Sequence, residues 1–111
     1  MKLIYVAHPY GGNLDNRKAC ARIIDNLQER FQNLVFVAGA TSIGGSYQET
    51  PYHVGLAHCL ELLNRCDGIL MTGKWQDSAG CKAEMAFAQW RGLKIYESLE
   101  CLKEEIRDAA D

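Results

Sequence analysis

The stretch GILMTGKWQDSAGCKAEMAFAQWR, residues Gly68 to Arg91, decides the fold. Gly68–Thr72 is an unbroken apolar run of the kind buried on both faces of a sheet. Gly73-Lys74-Trp75-Gln76-Asp77 turns the chain, and Ser78 is a helix-capping residue. From Ser78 to Arg91 the spacing predicts a helix, stopped by Gly92. At ~100° per residue, Lys82 and Gln89 mark its solvent side. Glu84 lies roughly 200° from Lys82, on the stripe that holds Gly80, Cys81, Phe87 and Ala88. A charge on that inward stripe must be paired, protonated or used for chemistry. Gly80, one turn earlier, leaves space beside it. The ordinary alternative is a carboxylate that pairs with a nearby Arg or Lys, or reaches out to the helix edge.

Working outward, the same alternation repeats. Lys2–Ala7 and Leu34–Ala38 read as buried strands, and Leu93–Tyr96 as a further short one. Leu14–Phe31 carries helical spacing through Ala19, Ile23, Ile24 and Leu27, with Asn13 as its cap. Thr50-Pro51 reads as a cap followed by Pro at the first helical position, opening a helix to about Arg65. Ser98 caps a last helix. Gly39–Tyr52 is a long connection with no evident secondary structure, a length that in small domains usually carries function.

Continuous apolar strands separated by helices indicate a parallel sheet covered on both faces. With right-handed crossovers this is a small doubly wound, flavodoxin-like α/β domain of four to five strands in the order 2-1-3-4. Residues 1–111 are expected to form that one domain. The topological switch then lies between the first and third strands, where ligands bind outside the strand carboxyl ends. Two loops meet there: His8-Pro9-Tyr10-Gly11-Gly12 and Gly73–Asp77, the latter with Trp75 and Asp77. Glu84 follows the second loop by about one and a half turns. Both loops lead into helix N-termini, so a phosphate between them is an expected ligand group.

Composition removes several classes. Twelve Lys and Arg stand against 14 Asp and Glu, a net charge of −2, so there is no electrostatic case for a nucleic-acid partner. No apolar stretch approaches the ~20 residues of a membrane span. Residues 1–7 look like a strand, not a signal peptide, which predicts a cytoplasmic protein. Five cysteines without a CxxC pair, and His53 and His58 at an unsuitable spacing, suggest neither a disulfide framework nor a metal site. The cysteines read as small core residues in a reducing compartment. No cofactor is expected.

Tyr5, the Gly11-Gly12 turn, Cys66-Asp67-Gly68 and Trp75-x-x-Ser78-x-Gly80-x-x-x-Glu84-x-x-x-Ala88 together resemble the nucleoside 2-deoxyribosyltransferase-like superfamily. That group includes N-glycosidases acting on nucleoside 5′-monophosphates. The resemblance runs over nearly the whole chain, and its most specific part is Ser-x-Gly-x-x-x-Glu. It implies that Glu84 attacks the anomeric carbon and forms a glycosyl-enzyme intermediate. It also implies that Tyr5 orients Glu84, and that Ser78 with the His8–Gly12 loop holds the 5′ end. Relatives often carry an acidic proton donor where this chain has Ala57-His58-Cys59, which makes His58 the substitute candidate. Tyr47 and Tyr52 are candidates to stack on a base. The implied partner is a small nucleoside or nucleotide, and the implied assembly is a homodimer or larger. Leu99, Leu102, Ile106 and an exposed Trp75 loop are its expected contacts.

Two other readings use the same crevice. One is a catalytically silent module that binds or senses a nucleotide; the other is an NAD-glycohydrolase. Glu84 itself favours an enzyme, and the missing acid near His58 favours the binder.

Overall fold

The computed structural model describes residues 1–42 and 51–110. In chain order the elements are β1 (Lys2–Ala7), α1 (Leu14–Arg30), β2 (Leu34–Val37), α2 (Gly39–Ser42), α3 (Tyr52–Asn64), β3 (Gly68–Met71), α4 (Ala79–Arg91), β4 (Lys94–Tyr96) and α5 (Leu99–Ala110). A 3₁₀ turn, Trp75–Asp77, precedes α4. The four strands are all parallel, in the order β2-β1-β3-β4. The strand switch therefore falls between β1 and β3, as the sequence pattern predicts.

Strand burial explains why the apolar runs are continuous. All of β3 and Ile4–Ala7 of β1 are buried, because helices cover both faces of the central strands. The edge strand β2 alternates instead, with Leu34 and Phe36 buried and Val35 exposed. Alternation along β1 separates two cores. Ile4 and Val6 pack with Cys20 and Leu27 of α1 and Leu102 of α5. Tyr5 and Ala7 face the other way, against Cys59 and Leu63 of α3 and Cys81, Met85 and Ala88 of α4. The free edge of β2 is closed by Gln28, whose amide donates to the Leu34 carbonyl (2.6 Å) and accepts from the Phe36 N–H (3.2 Å).

Side chains fix the element ends. Asn13 Oδ1 accepts from the Asp15 and Asn16 N–H groups at 2.8 and 3.3 Å and caps α1. Ser78 Oγ accepts from the Cys81 N–H (3.2 Å) and caps α4, while Gly92 closes that helix at φ 73°. Ser98 Oγ likewise accepts from the Cys101 N–H at the start of α5. Asp67 of the Cys66-Asp67-Gly68 motif has a structural task. Its carboxylate accepts from the Leu3 N–H at 2.8 Å, tying β3 to the entry of β1.

Three expectations change. Pro51 is the cap residue of α3 and Tyr52 its first helical position, because Pro51 holds an extended ψ of 142°. The connection after β2 is not wholly irregular, since Gly39–Ser42 forms the one-turn helix α2. Leu99, Leu102 and Ile106 do not form an outer apolar surface. Leu102 is buried and the other two pack against the same core, because the apolar stripe of α5 is what covers the sheet.

Candidate active site

Two strands and two helix starts meet above the β1/β3 switch around a cavity of about 380 Å³. β1 contributes Tyr5 and, through its outgoing loop, His8, Tyr10 and Gly11. α4 and its approach contribute Asp77, Ser78, Gly80 and Glu84. α3 forms the remaining wall with Tyr52, Leu56 and Cys59.

Glu84 is the one charged residue buried among the described residues, at 7% exposure. No described Arg or Lys pairs with it; its partner is the Tyr5 phenol, which donates to Oε2. Oε1 has no donor among the described residues. Burial pushes the Glu84 carboxyl up from 4.5 to about 7, and the Tyr5 hydrogen bond works in the opposite direction. Tyr5 is itself raised well above its ordinary value, first by burial and then by the neighbouring carboxylate, so the phenol keeps its proton. Its oxygen also accepts from the Gly39 N–H at 3.2 Å, which fixes the ring's orientation. A side chain at Gly39 would run into the Tyr5 hydroxyl and the Cys59 thiol. The start of α2 is thus part of the Glu84 support.

His8 is held by the residue that follows β3. Its Nδ1 lies 2.8 Å from Thr72 Oγ1, and the Thr72 hydroxyl donates to the Ala7 carbonyl (2.8 Å). That hydroxyl has a single proton, so His8 Nδ1 is the donor and Nε2 retains a lone pair. Gly73, at φ 64°, lies against the ring, and a Cβ there would stand 2.9 Å from it. Burial lowers the His8 pKa, which favours the neutral imidazole. The Gly11-Gly12 turn has both residues at positive φ, 57° and 74°, and is closed by the Asn13 N–H on the Tyr10 carbonyl (2.9 Å).

The residues singled out in the sequence divide as follows. Tyr5, His8, Tyr10, Gly11, Asp77, Ser78, Gly80 and Glu84 come together around one cavity. Gly12 lies beside it in the turn. Trp75 packs half-buried against the second core and does not line the cavity, because its 3₁₀ turn lies against α4 and directs the ring into that core. His58 is exposed on α3; the neighbouring position that reaches the cavity is Cys59. Tyr47 lies outside the described residues. Gly39, Thr72 and Asn16 were not legible as site residues. Each acts through a partner distant in sequence or through a backbone group that carries no side-chain signal.

A family profile described as a domain of unknown function, DUF4406, matches residues 2–97. The chain belongs to this DUF4406 family. No curated protein matches it. Among solved structures this DUF4406 domain is similar to the 2-desoxiribosyltransferase from Leishmania mexicana, with a TM-score of 0.64 at 19% identity. The match covers 86% of this chain and 62% of that one, so the chain spans under two thirds of that protein's length. What the two share is the fold: a parallel sheet with helices around it. Among the described residues of the DUF4406 domain, no three His, Cys, Asp or Glu side chains converge as a metal-ligand set. No described helix is long and apolar enough to cross a membrane.

Proposed function

We propose that the protein cleaves or exchanges the N-glycosidic bond of a nucleoside or nucleoside 5′-monophosphate through a covalent intermediate on Glu84. The observation that carries this reading is the buried Glu84 carboxyl, bound by a protonated phenol and by no described Arg or Lys, in the lining of a cavity. A structural ion pair would have an Arg or Lys partner, and a purely packed residue would not need the Gly39–Tyr5–Glu84 chain. The fold shared with a 2-desoxiribosyltransferase is consistent with the reading, and the Ser78-x-Gly80-x-x-x-Glu84 spacing agrees with it.

In this mechanism the ionised carboxylate stabilises positive charge developing at C1′ as the bond to the base nitrogen lengthens. Oε1 then bonds to C1′, and the electron pair of the broken bond leaves with the base nitrogen, which takes up a proton. Water or a second base next attacks C1′ and displaces Glu84 as a free carboxylate. Tyr5 donates to Oε2 throughout and keeps Oε1 aimed at the sugar. Ser78, Gly80 and the His8–Gly11 loop surround the 5′ end, and Tyr52 offers a ring to the base. The working assembly is a homodimer or larger, since a partner at the cavity mouth shields the glycosyl intermediate from bulk water.

The test is to incubate the protein with pooled nucleosides and nucleoside monophosphates and separate free base and sugar by chromatography. Release of base by the parent, and its loss by orders of magnitude in Glu84→Gln, is the expected result. If Glu84→Gln keeps more than a few per cent of turnover, the carboxylate is not the nucleophile.

A further inference from the structure

Releasing a sugar from Glu84 calls for a group that takes a proton from the incoming nucleophile, and the cavity supplies few. Tyr5 is raised well above its ordinary value and donates to Glu84 Oε2. Burial pushes the Cys81 thiol up to about 11, so it too keeps its proton. Asp77 is exposed on the turn before α4, and His58 is exposed on α3, outside the lining. His8 is the one imidazole among the described lining residues. Its proton is committed. Nδ1 donates to Thr72 Oγ1 at 2.8 Å, because the Thr72 hydroxyl donates to the Ala7 carbonyl. Nε2 therefore carries a lone pair, and no described residue bonds to it. The ring is confined as well, since a Cβ on Gly73 would stand 2.9 Å from its Cε1. A neutral imidazole anchored through Nδ1, with Nε2 left over beside a cavity, is the arrangement of a general base.

We propose that water is the acceptor of the glycosyl group and that His8 activates it through Nε2. This rests on the Glu84 reading given above and selects hydrolysis within it. Water displaces Glu84 from the face of C1′ that the base has left. As its oxygen bonds to C1′, its proton passes to Nε2 and the C1′–Oε1 electron pair returns to Glu84. The imidazolium then gives the extra proton to solvent or to the departed base, which restores the lone pair. C1′ and C4′ flank the same ring oxygen, so the first residue of a loop around the 5′ end adjoins C1′ as well. Thr72 is a positioning residue: it meets Nδ1 from outside the cavity lining and fixes which nitrogen is bare.

The experiment separates the two halves of the reaction. The substrate is whichever member of the nucleoside and monophosphate pool loses its base fastest to the parent. Base release is followed by rapid quench, and the quenched chain is weighed by intact mass spectrometry. His8→Ala is expected to release a first equivalent of base per site and then to turn over about 10²–10⁴-fold more slowly than the parent. Its chain is expected to carry one sugar, bonded to Glu84. Azide, a nucleophile with no proton to lose, is expected to restore turnover and to yield the glycosyl azide. Thr72→Val is expected to slow turnover by about tenfold while keeping the burst, and Thr72→Ser to recover most of that loss. With labelled free base present, the parent is expected to hydrolyse more substrate than it exchanges, a readout that needs no variant. Exchange that outruns hydrolysis overturns the proposal. So does a burst that falls together with turnover in His8→Ala, or a turnover that does not fall. In those cases base release by the parent, lost in Glu84→Gln, leaves the nucleophile assignment standing. A parent that releases no base overturns both.

Discussion

At the scale of single residues, the site rests on a carboxyl group that titrates close to neutrality because it is buried. On the proposed mechanism Glu84 attacks as the carboxylate, so activity is expected to rise with pH through an acid limb near pH 7, the value to which burial raises it. The Tyr5 hydrogen bond pulls the carboxyl down, and Tyr5→Phe removes that pull. In Tyr5→Phe the acid limb of kcat/KM is therefore expected to move to higher pH, with a fall in the plateau as Oε1 loses its alignment. A pH–rate profile of the two proteins checks this, and an unmoved limb argues against Glu84 as the titrating group. The same burial has a stability cost of definite sign. Below pH 4.5 the carboxyl is protonated both folded and unfolded, and the cost is absent. Between 4.5 and about 7 the folded chain keeps a proton that the unfolded chain has lost, so stability falls as pH rises. Above that range the whole cost, about 3 kcal/mol, is present. Glu84→Gln is thus expected to be more stable than the parent by up to that amount at alkaline pH, with the gain fading toward pH 4. Urea denaturation at both ends of the range reads it, and a gain independent of pH contradicts the buried-carboxylate account.

At the scale of elements, two glycines of the site separate positioning from space. The Cβ of Gly39→Ala would stand 2.6 Å from the Tyr5 hydroxyl and press on Cys59, at the point where α2 begins. It is expected to destabilise the fold by about 1–3 kcal/mol and to displace the phenol from Glu84. The Cβ of Gly80→Ala would meet only Tyr52 Oη at 3.6 Å, an ordinary contact, so that variant is expected to melt like the parent and to lose ligand affinity by filling the cavity. Thermal melts beside calorimetric binding distinguish the two, and matching losses in both variants would remove the distinction. The contrast also marks how far the sequence could be read. The sheet was legible because central parallel strands leave unbroken apolar runs, as in Gly68–Thr72. The Ser78–Glu84 unit was legible because cap and inward carboxylate lie within one helix, where spacing fixes direction. The support around Glu84 was not. Gly39 meets Tyr5 across 34 positions and His8 meets Thr72 across 64, and no local pattern reports such a contact. The apolar residues of α5 and Trp75 were misplaced for a related reason. A stripe gives the face of a helix but not which surface that face meets.

For the whole molecule, the question is what covers the open side of the cavity. The C-terminal helix turns its stripe onto the sheet, so it offers no apolar seam to a partner through Leu102. The exposed apolar groups lie elsewhere. Trp90 on α4 is 79% exposed and its ring stands 5.8 Å from that of Phe87. With Leu60 and Ala57 of α3 these rings line a groove bordered by Glu61 and Arg91. Tyr52, 62% exposed, opens α3 at the cavity itself, so the groove and the cavity are flanked by the same two helices. A two-fold contact across α3 and α4 would bury Trp90, let Glu61 and Arg91 meet their counterparts, and carry a second subunit toward the cavity mouth. Light scattering at micromolar concentration is then expected to give at least twice the 12.4 kDa chain mass. Trp90→Glu places a charge in the centre of the seam and is expected to yield monomer that keeps its fold, since Trp90 is mostly solvated within one chain. Its base release is expected to drop with the loss of the dimer. A parent that is monomeric and active at high dilution would mean that one chain closes its own cavity, and the α3–α4 groove would then have no part in the reaction.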